Sequence, residues 1–231
     1  MSEYGRAAEK VAALASSPVG RCIVALEVNV SCPNVEDRSR MFAHSADATR
    51  RVMAATACAL PRWAKLSPNV PDVTEIGAGA LEGGADGLTL VNTLLGLALD
   101  IETGRPVLSA GGGGLSGAPV HPVAVRAVWE CRAAFPEVPI VGVGGVTTGR
   151  DAVELLLAGA DAVQVGTATF RDPRASWKVL RQVARWCDAH HTSVADIRAG
   201  VRRRVAGEVM PITDGVPAAS GGSSAGTSRE E

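Results

Sequence analysis

From residue 21 to residue 190, short runs that are apolar along their whole length alternate with segments of helical periodicity. No other feature of the chain constrains its fold as strongly. "RCIVALEVNV" (21–30), "WAKLS" (63–67), "DGLTLVNT" (86–93), "VPIVGVGG" (138–145) and "DAVQVGTATF" (161–170) read as strands. "SADATRRVMAATACAL" (45–60) places Ala48, Val52, Ala55 and Ala59 on one helical face. "DVTEIGAGALEGG" (72–84) shows a stripe of Val73, Ile76, Ala80 and Leu81, and its Asp72 and Glu75 resemble a capping box. Further helices are expected over 121–134, 149–159, 174–190 (with Trp177, Leu180 and Ala184 in register) and 193–199. Residues 94–120, with "AGGGGLSGAP", read as a long connection, and the opening "SEYGRAAEKVAALA" as a helix. Fully apolar strands alternating with helices mean parallel βα units covered on both faces.

A doubly wound sheet and a (β/α)8 TIM barrel both fit that pattern. Polar residues and glycines decide between them. They fall at the C-terminal end of every strand: Asn29, Ser67, Asn92, Gly144 and Gly145, Gly166 and Thr167. Chemistry spread over successive strand ends is the habit of the barrel, whereas a doubly wound sheet concentrates it at one switch point. Five βα units are legible in the 231 residues, and a closed barrel needs eight. Residues 1–207 are therefore expected to be the C-terminal part of a barrel lacking its first three or so units, about 90–100 residues at about 30 per unit. Residues 208–231, rich in Gly and Ser, read as a disordered tail. An open barrel would expose two sheet edges, an aggregation hazard.

Composition narrows the function. Aromatic residues make up only 3%, so the core must be built from Ala, Val and Leu. A net charge of -1 argues against nucleic acid as the main partner, and the "VRRRV" run (201–205) reads as a solvated face. Cysteines at 22, 32, 58, 131 and 187 form no Cys-x-x-Cys and leave an odd count, so neither a disulfide framework nor a zinc site is expected. No apolar run reaches membrane-spanning length, and a reduced, cytoplasmic protein is expected.

The stretch "ALEVNVSCPNVED" carries the sharpest chemical signal. Side chains alternate along a strand. Leu26, Val28 and Val30 should meet helices, and Glu27, Asn29 and Ser31 should face the interior. Pro33 ends the strand and sets Cys32 on a rigid turn at the mouth. The other four cysteines read as inert core residues. Lys65, inside an apolar strand, reads as an inward cation for an anionic ligand; Asn92 and Thr93 offer uncharged donors and acceptors. Gly144-Gly145 and Gly166-Thr167 follow the last two strands, where barrels often grip a phosphate through backbone N–H groups. His44, His190 and His191 read as surface residues.

These motifs resemble a known family. "LEVNVSCPN", "AKLSPN", "GLTLVNTLLGLALDIETGRPVLSAGGGGLSGAPVHPVAVR" and "IVGVGGVTTGRDAVELLLAGADAVQVGTATF" are similar to the C-terminal part of class 1 dihydroorotate dehydrogenases, and "NTLLGLALD…GGLSG" most resembles the class 1B catalytic subunit. The resemblance covers about residues 3–200. It implies an FMN-dependent barrel that oxidises dihydroorotate to orotate in pyrimidine biosynthesis. On this resemblance Cys32 is the general base at C5 of dihydroorotate, and Asn29, Asn34, Asn92 and Thr93 hold the substrate. Asn29, Lys65, Val91 and Gly117 contact FMN, and Gly144, Gly145, Gly166 and Thr167 hold its phosphate. It also implies a homodimer, in class 1B joined to an FAD and iron–sulfur subunit that passes electrons to NAD; a fumarate-linked class 1A enzyme carries the same cysteine. The family's N-terminal lysine and Asn-rich loop have no counterpart here, and His121 stands where a lysine is more usual. The competing readings are an inactive fragment and another FMN barrel, such as a dihydropyrimidine dehydrogenase domain.

Overall fold

The structure is a computed structural model that describes residues 2–31 and 42–207. Cys32 and Asn34 lie outside the described residues, as does the expected tail. Helix α1 (Ser2–Ala15) precedes strand β1 (Leu26–Asn29). There follow α2 (Ala46–Ala55), β2 (Arg62–Leu66), α3 (Val73–Glu82) and β3 (Gly87–Leu90). A hairpin of β4 (Leu94–Gly96) and β5 (Gly113–Leu115) leads into α4 (His121–Ala134). The chain continues through β6 (Ile140–Val143), α5 (Gly149–Ala158), β7 (Ala162–Gln164), α6 (Ala168–Arg171), α7 (Ala175–Ala189) and α8 (Val194–Val205).

Five strands form one parallel sheet in the order β1-β2-β3-β6-β7. Helices α2, α3, α4, α5 and α7 pack side by side along it. The core lies between sheet and helices, with Val28, Ala64, Leu66, Leu88, Leu90 and Ile140 buried beneath it. The alternation expected for β1 holds: Val28 and Val30 are buried toward the helices, and Glu27 and Asn29 point the other way.

That other face is the interior of a curled sheet, and one carboxylate shows how far it curls. Glu27 Oε2 on β1 accepts hydrogen bonds from Thr89 Oγ1 on β3 (2.9 Å) and from Gln164 Nε2 on β7 (2.8 Å). Glu27 Oε1 lies 3.5 Å from Lys65 Nζ on β2. The first and last strands of the sheet therefore meet through side chains across the interior. Toward the opposite end Trp63 packs on Gly87, where a Cβ would fall 2.3 Å from the indole Nε1; glycine is what lets the indole lie against the strand. The architecture is a partial (β/α)8 barrel, a curled parallel sheet sheathed in helices, open along β1 and β7.

Several expected details differ. Helix α2 stops at Ala55 and buries Thr49, Val52 and Met53, while Ala55 and Ala59 face solvent. Asp72 caps α3 through the Thr74 N–H (2.8 Å) without a reciprocal Glu75 contact; the full capping boxes are Thr148/Asp151 and Ser193/Asp196. The long connection contains the β4–β5 hairpin. Strand β7 ends at Gln164, and "ATFR" turns into helix because Gly166 and Thr167 break the ladder. On α7 the buried stripe is Ala175, Val179, Val183 and Cys187, so Trp177, Leu180 and Ala184 are exposed. Helix α8 runs to Val205, beyond the expected 199. Cys131 and Cys187 are buried as expected, whereas Cys22 is exposed and Cys58 is half-buried.

Candidate active site at the C-terminal ends of the strands

The site begins at the mouth of β1. The Asn29 side chain turns back on its own strand end, its Oδ1 accepting from the Ser31 N–H (3.0 Å) and from Asn92 Nδ2 of the β3 exit (3.0 Å). The Asn92 Oδ1 accepts from the Thr93 N–H (2.8 Å). Ser31 Oγ donates to the Lys65 carbonyl (3.3 Å), and Tyr4 of α1 donates to the Asn29 carbonyl (2.8 Å). The residue preceding Cys32 is thus tied to β2 at the open end of the barrel.

One cleft gathers nine of the residues read from the sequence; Asn29 is not in its lining and reaches it only through its hydrogen bond with Asn92. Lys65, Val91, Asn92 and Thr93 line one side; Gly117, Gly144, Gly145, Gly166 and Thr167 line the other. Leu115, Ser116 and Thr147 complete the wall, and the enclosed volume is about 140 Å³. Lys65 does not stand alone as a cation awaiting an anion: Glu27 balances it from below.

The glycine side has the form of a backbone cradle. Gly117, Gly144 and Gly145 adopt φ values of 91°, 142° and 68°, a region that side chains rarely enter. A Cβ on Gly145 would lie 2.7 Å from His121 Cβ and 2.9 Å from the Gly117 carbonyl oxygen. A Cβ on Gly166, by contrast, would meet nothing within 4 Å and would project into free space. Among the described residues, no hydrogen bond uses the N–H of Gly145, Gly166 or Thr167. Converging, unpartnered amide donors beside small residues suit a phosphate, because they supply positive dipole ends and no bulk. The glycine side of the cleft therefore suits a phosphate such as that of FMN, and Lys65 and Asn92 are among the other lining residues.

A family model described as dihydroorotate dehydrogenase matches residues 1–186. The chain belongs to the dihydroorotate dehydrogenase family.

Among its relatives in that family is the "Dihydroorotate dehydrogenase B (NAD(+)), catalytic subunit" of Bacteroides thetaiotaomicron, 46% identical over 170 residues, or 73% of this chain and 56% of the relative. The protein of the same name from Geobacter sp. (strain M21) is 42% identical over 193 residues, or 83% of this chain and 61% of the relative. A ligand-free dihydroorotate dehydrogenase from Eimeria tenella superposes with a TM-score of 0.63 at 26% identity, over 83% of this chain and 59% of that one. The chain thus spans less than two thirds of the length of these dihydroorotate dehydrogenases.

Three residues of the site had no assigned role in the sequence reading. Glu27 carried only its place in the strand alternation, and its partners lie on three other strands, β2, β3 and β7. Asn69, in the quoted "AKLSPN", donates to the Thr93 carbonyl (2.9 Å) and accepts from the Leu95 N–H (2.8 Å), fastening the hairpin to the β2 exit. His121 is buried beneath the glycine cradle, with Nδ1 2.9 Å from the Gly144 carbonyl oxygen and Nε2 3.2 Å from Glu154 Oε2. Its signal was visible as a histidine at the foot of a helix beside "GGLSG". The histidines at 44 and 191 are at the surface, and His190 stacks on Trp186 with centroids 4.0 Å apart.

Proposed function

We propose that the chain carries the flavin- and substrate-binding part of a dihydroorotate dehydrogenase of the NAD-linked kind, which oxidises dihydroorotate to orotate with FMN in pyrimidine biosynthesis. The observation that carries this reading is convergence. Nine positions taken from separate motifs between residues 65 and 167 line one cleft at one end of the sheet.

The roles follow from the family resemblance and from the chemistry of each group. Cys32 is the general base that takes the C5 proton of dihydroorotate; a thiolate serves when nearby donors lower its pKa. Asn29, Asn34, Asn92 and Thr93 bind the planar, carboxylated ring and orient it, which removes most of the entropic barrier to reaction. FMN held in this cleft would supply the acceptor for the hydride equivalent leaving C6. The N–H groups of Gly144, Gly145, Gly166 and Thr167 would hold its phosphate, and Val91 and Gly117 would contact it through backbone. Lys65 sets a positive charge beside the ring system, while Glu27 limits the net charge of that region. The names of the relatives, which specify NAD(+) and a catalytic subunit, support a reading with a separate partner subunit and NAD as acceptor; the homodimer and the FAD and iron–sulfur centre on that partner are what the family resemblance implies.

Substitution of Cys32 tests the base assignment. Cys32→Ala in the FMN-loaded protein should cut dihydroorotate oxidation by about 10²–10⁴-fold and leave flavin binding intact. Undiminished turnover in Cys32→Ala would remove Cys32 from the mechanism.

A further inference from the structure

Among the described residues lining the cleft, Lys65 is the one that carries a charge. Its ammonium lies 3.5 Å from Glu27 Oε1, and among the described residues no other ion pair or hydrogen bond holds it. Glu27 is held far more firmly. Its Oε2 accepts from Thr89 Oγ1 (2.9 Å) on β3 and from Gln164 Nε2 (2.8 Å) on β7. The carboxylate is thus the fixed member of the pair. The lysine, on a flexible four-carbon stem, is the movable one.

The strand register gives that hold a direction. Lys65 stands opposite Asn29 on β1 and Thr89 on β3. Glu27 stands opposite Trp63, one inward-facing position nearer the N-terminal end of the sheet. Two residues of strand put it about 7 Å lower than Asn29. The cleft opens at the other end, where Asn92, Gly144 and Gly166 leave their strands. The carboxylate therefore draws the ammonium down the strands, away from the mouth of the cleft, and offsets its charge. The Lys65 and Glu27 side chains are 25% and 33% exposed, so salt screens this pair less than one at the surface.

We infer that Glu27 is a positioning residue that acts through Lys65: it restrains the ammonium at the floor of the cleft and so limits how strongly that charge stabilises negative charge on a bound flavin. The role rests on the FMN reading of the cleft. A flavin gains negative charge on reduction, so a nearby cation eases its reduction and a restrained cation eases it less. Glu27 then makes the flavin a weaker acceptor and a better donor than Lys65 alone would. That balance suits a flavin whose electrons must travel on toward NAD, a weak oxidant.

Glu27→Gln separates this role from a merely structural one. The amide oxygen can keep both Thr89 and Gln164, which turns the amide NH2 toward Lys65, donor against donor. Volume and hydrogen bonds are kept, and the ammonium is released. Sulfite adds to oxidised flavin and leaves negative charge on the ring, so its affinity reports nearby positive charge without any turnover of substrate. In the FMN-loaded full chain, the sulfite dissociation constant should fall by about three- to tenfold in Glu27→Gln, the effect of one unbalanced charge in a partly hydrated site. The midpoint potential of the flavin should rise with it. In a Lys65→Met background the same substitution should leave the sulfite constant unchanged. An unaltered constant in Glu27→Gln, or an equal fall in the Lys65→Met background, overturns the inference. Crystal structures of the flavin-free wild type and variant supply a second measure. Lys65 Nζ should move beyond about 4 Å from residue 27, the limit of ion-pair contact; a lysine that stays seated there overturns the restraint. Failure of the folded wild type to take up FMN overturns the flavin reading instead, and the position of Lys65 in the flavin-free pair then decides the restraint alone.

Discussion

At the scale of single residues, the interior of the barrel depends on one carboxylate. Glu27 serves Thr89, Lys65 and Gln164 at once, so removing it strands two donors and one cation. Glu27→Ala should lower unfolding stability in urea by about 0.5–1.5 kcal/mol, the net worth of hydrogen bonds that stay partly open to water. Glu27→Gln, which keeps an acceptor oxygen, should lose less; equal losses would mean that the hydrogen bonds contribute nothing. The cysteines differ in a way exposure alone predicts. Burial, reinforced by the charges of Glu130 and Asp72, pushes the Cys131 thiol up to about 12. A thiol reagent at neutral pH should modify exposed Cys22 quickly and leave Cys131 untouched until the chain unfolds. Labelling of Cys131 in the native protein would contradict its place in the core.

At the scale of elements, the turns carry the site and the helices hold the turns. Gly145→Ala would force a Cβ against His121 and the Gly117 carbonyl at a φ of 68°. It should weaken FMN binding at least tenfold, with a strain of about 1–3 kcal/mol visible in thermal unfolding. Asp161, just before β7, clips α4 and β6 to α8. Its carboxylate accepts from Arg132 Nη2 (2.7 Å), Arg198 Nη2 (2.7 Å) and the Ile140 N–H (3.0 Å), and Arg132 is 2% exposed. Burial raises the Asp161 carboxyl, but the Ile140 N–H and the two guanidiniums outweigh it and hold it below its ordinary value. The unfolded chain therefore takes up the proton first. This stabilisation is complete above the ordinary aspartate range, about pH 4, and is lost as pH falls through the depressed folded value. Asp161→Asn should cost about 3–5 kcal/mol at pH 7 and flatten the acid limb of the stability profile. An unchanged acid limb would show that the clip does not titrate. Elements with strong periodicity were legible in the sequence, among them β2, β3, α3, α5 and the faces of β1. The α7 stripe was misjudged because two apolar faces compete on that helix. Val179 and Val183 won burial, and Trp177 and Leu180 were left outside. The hairpin was missed because Gly and Leu give no two-residue alternation. Glu27 was illegible because its partners are brought together only by the curl of the sheet; Asn69 and His121 gain their roles only where the β3 exit and the β6 turn come to lie beside them.

At the scale of the whole molecule, the sheet is open along β1 and β7, and two apolar surfaces face outward. The hairpin region exposes Leu95, Leu97, Leu99, Ile101, Val107 and Leu108, with Ile101 at 92%. The open side near β7 exposes Phe170, Trp177 and Leu180. Apolar groupings of this kind mark contact surfaces. If the hairpin carries the proposed homodimer, paired Leu97→Asp and Ile101→Asp changes should shift sedimentation from dimer to monomer; an unaltered profile would move the interface elsewhere. No helix among the described residues is long and apolar enough to cross a membrane. The cleft, the cradle and the Asn29–Ser31 exit of β1 all lie on the same rim, the C-terminal rim where parallel barrels place their chemistry. The central claim is that this rim binds FMN and passes electrons to it from dihydroorotate. Its most direct test is the visible absorbance of the FMN-loaded chain during anaerobic titration with dihydroorotate. The account predicts bound flavin whose yellow absorbance bleaches on addition of dihydroorotate and returns on admission of air. A folded chain that takes up no flavin, or binds flavin that dihydroorotate never bleaches, would contradict it.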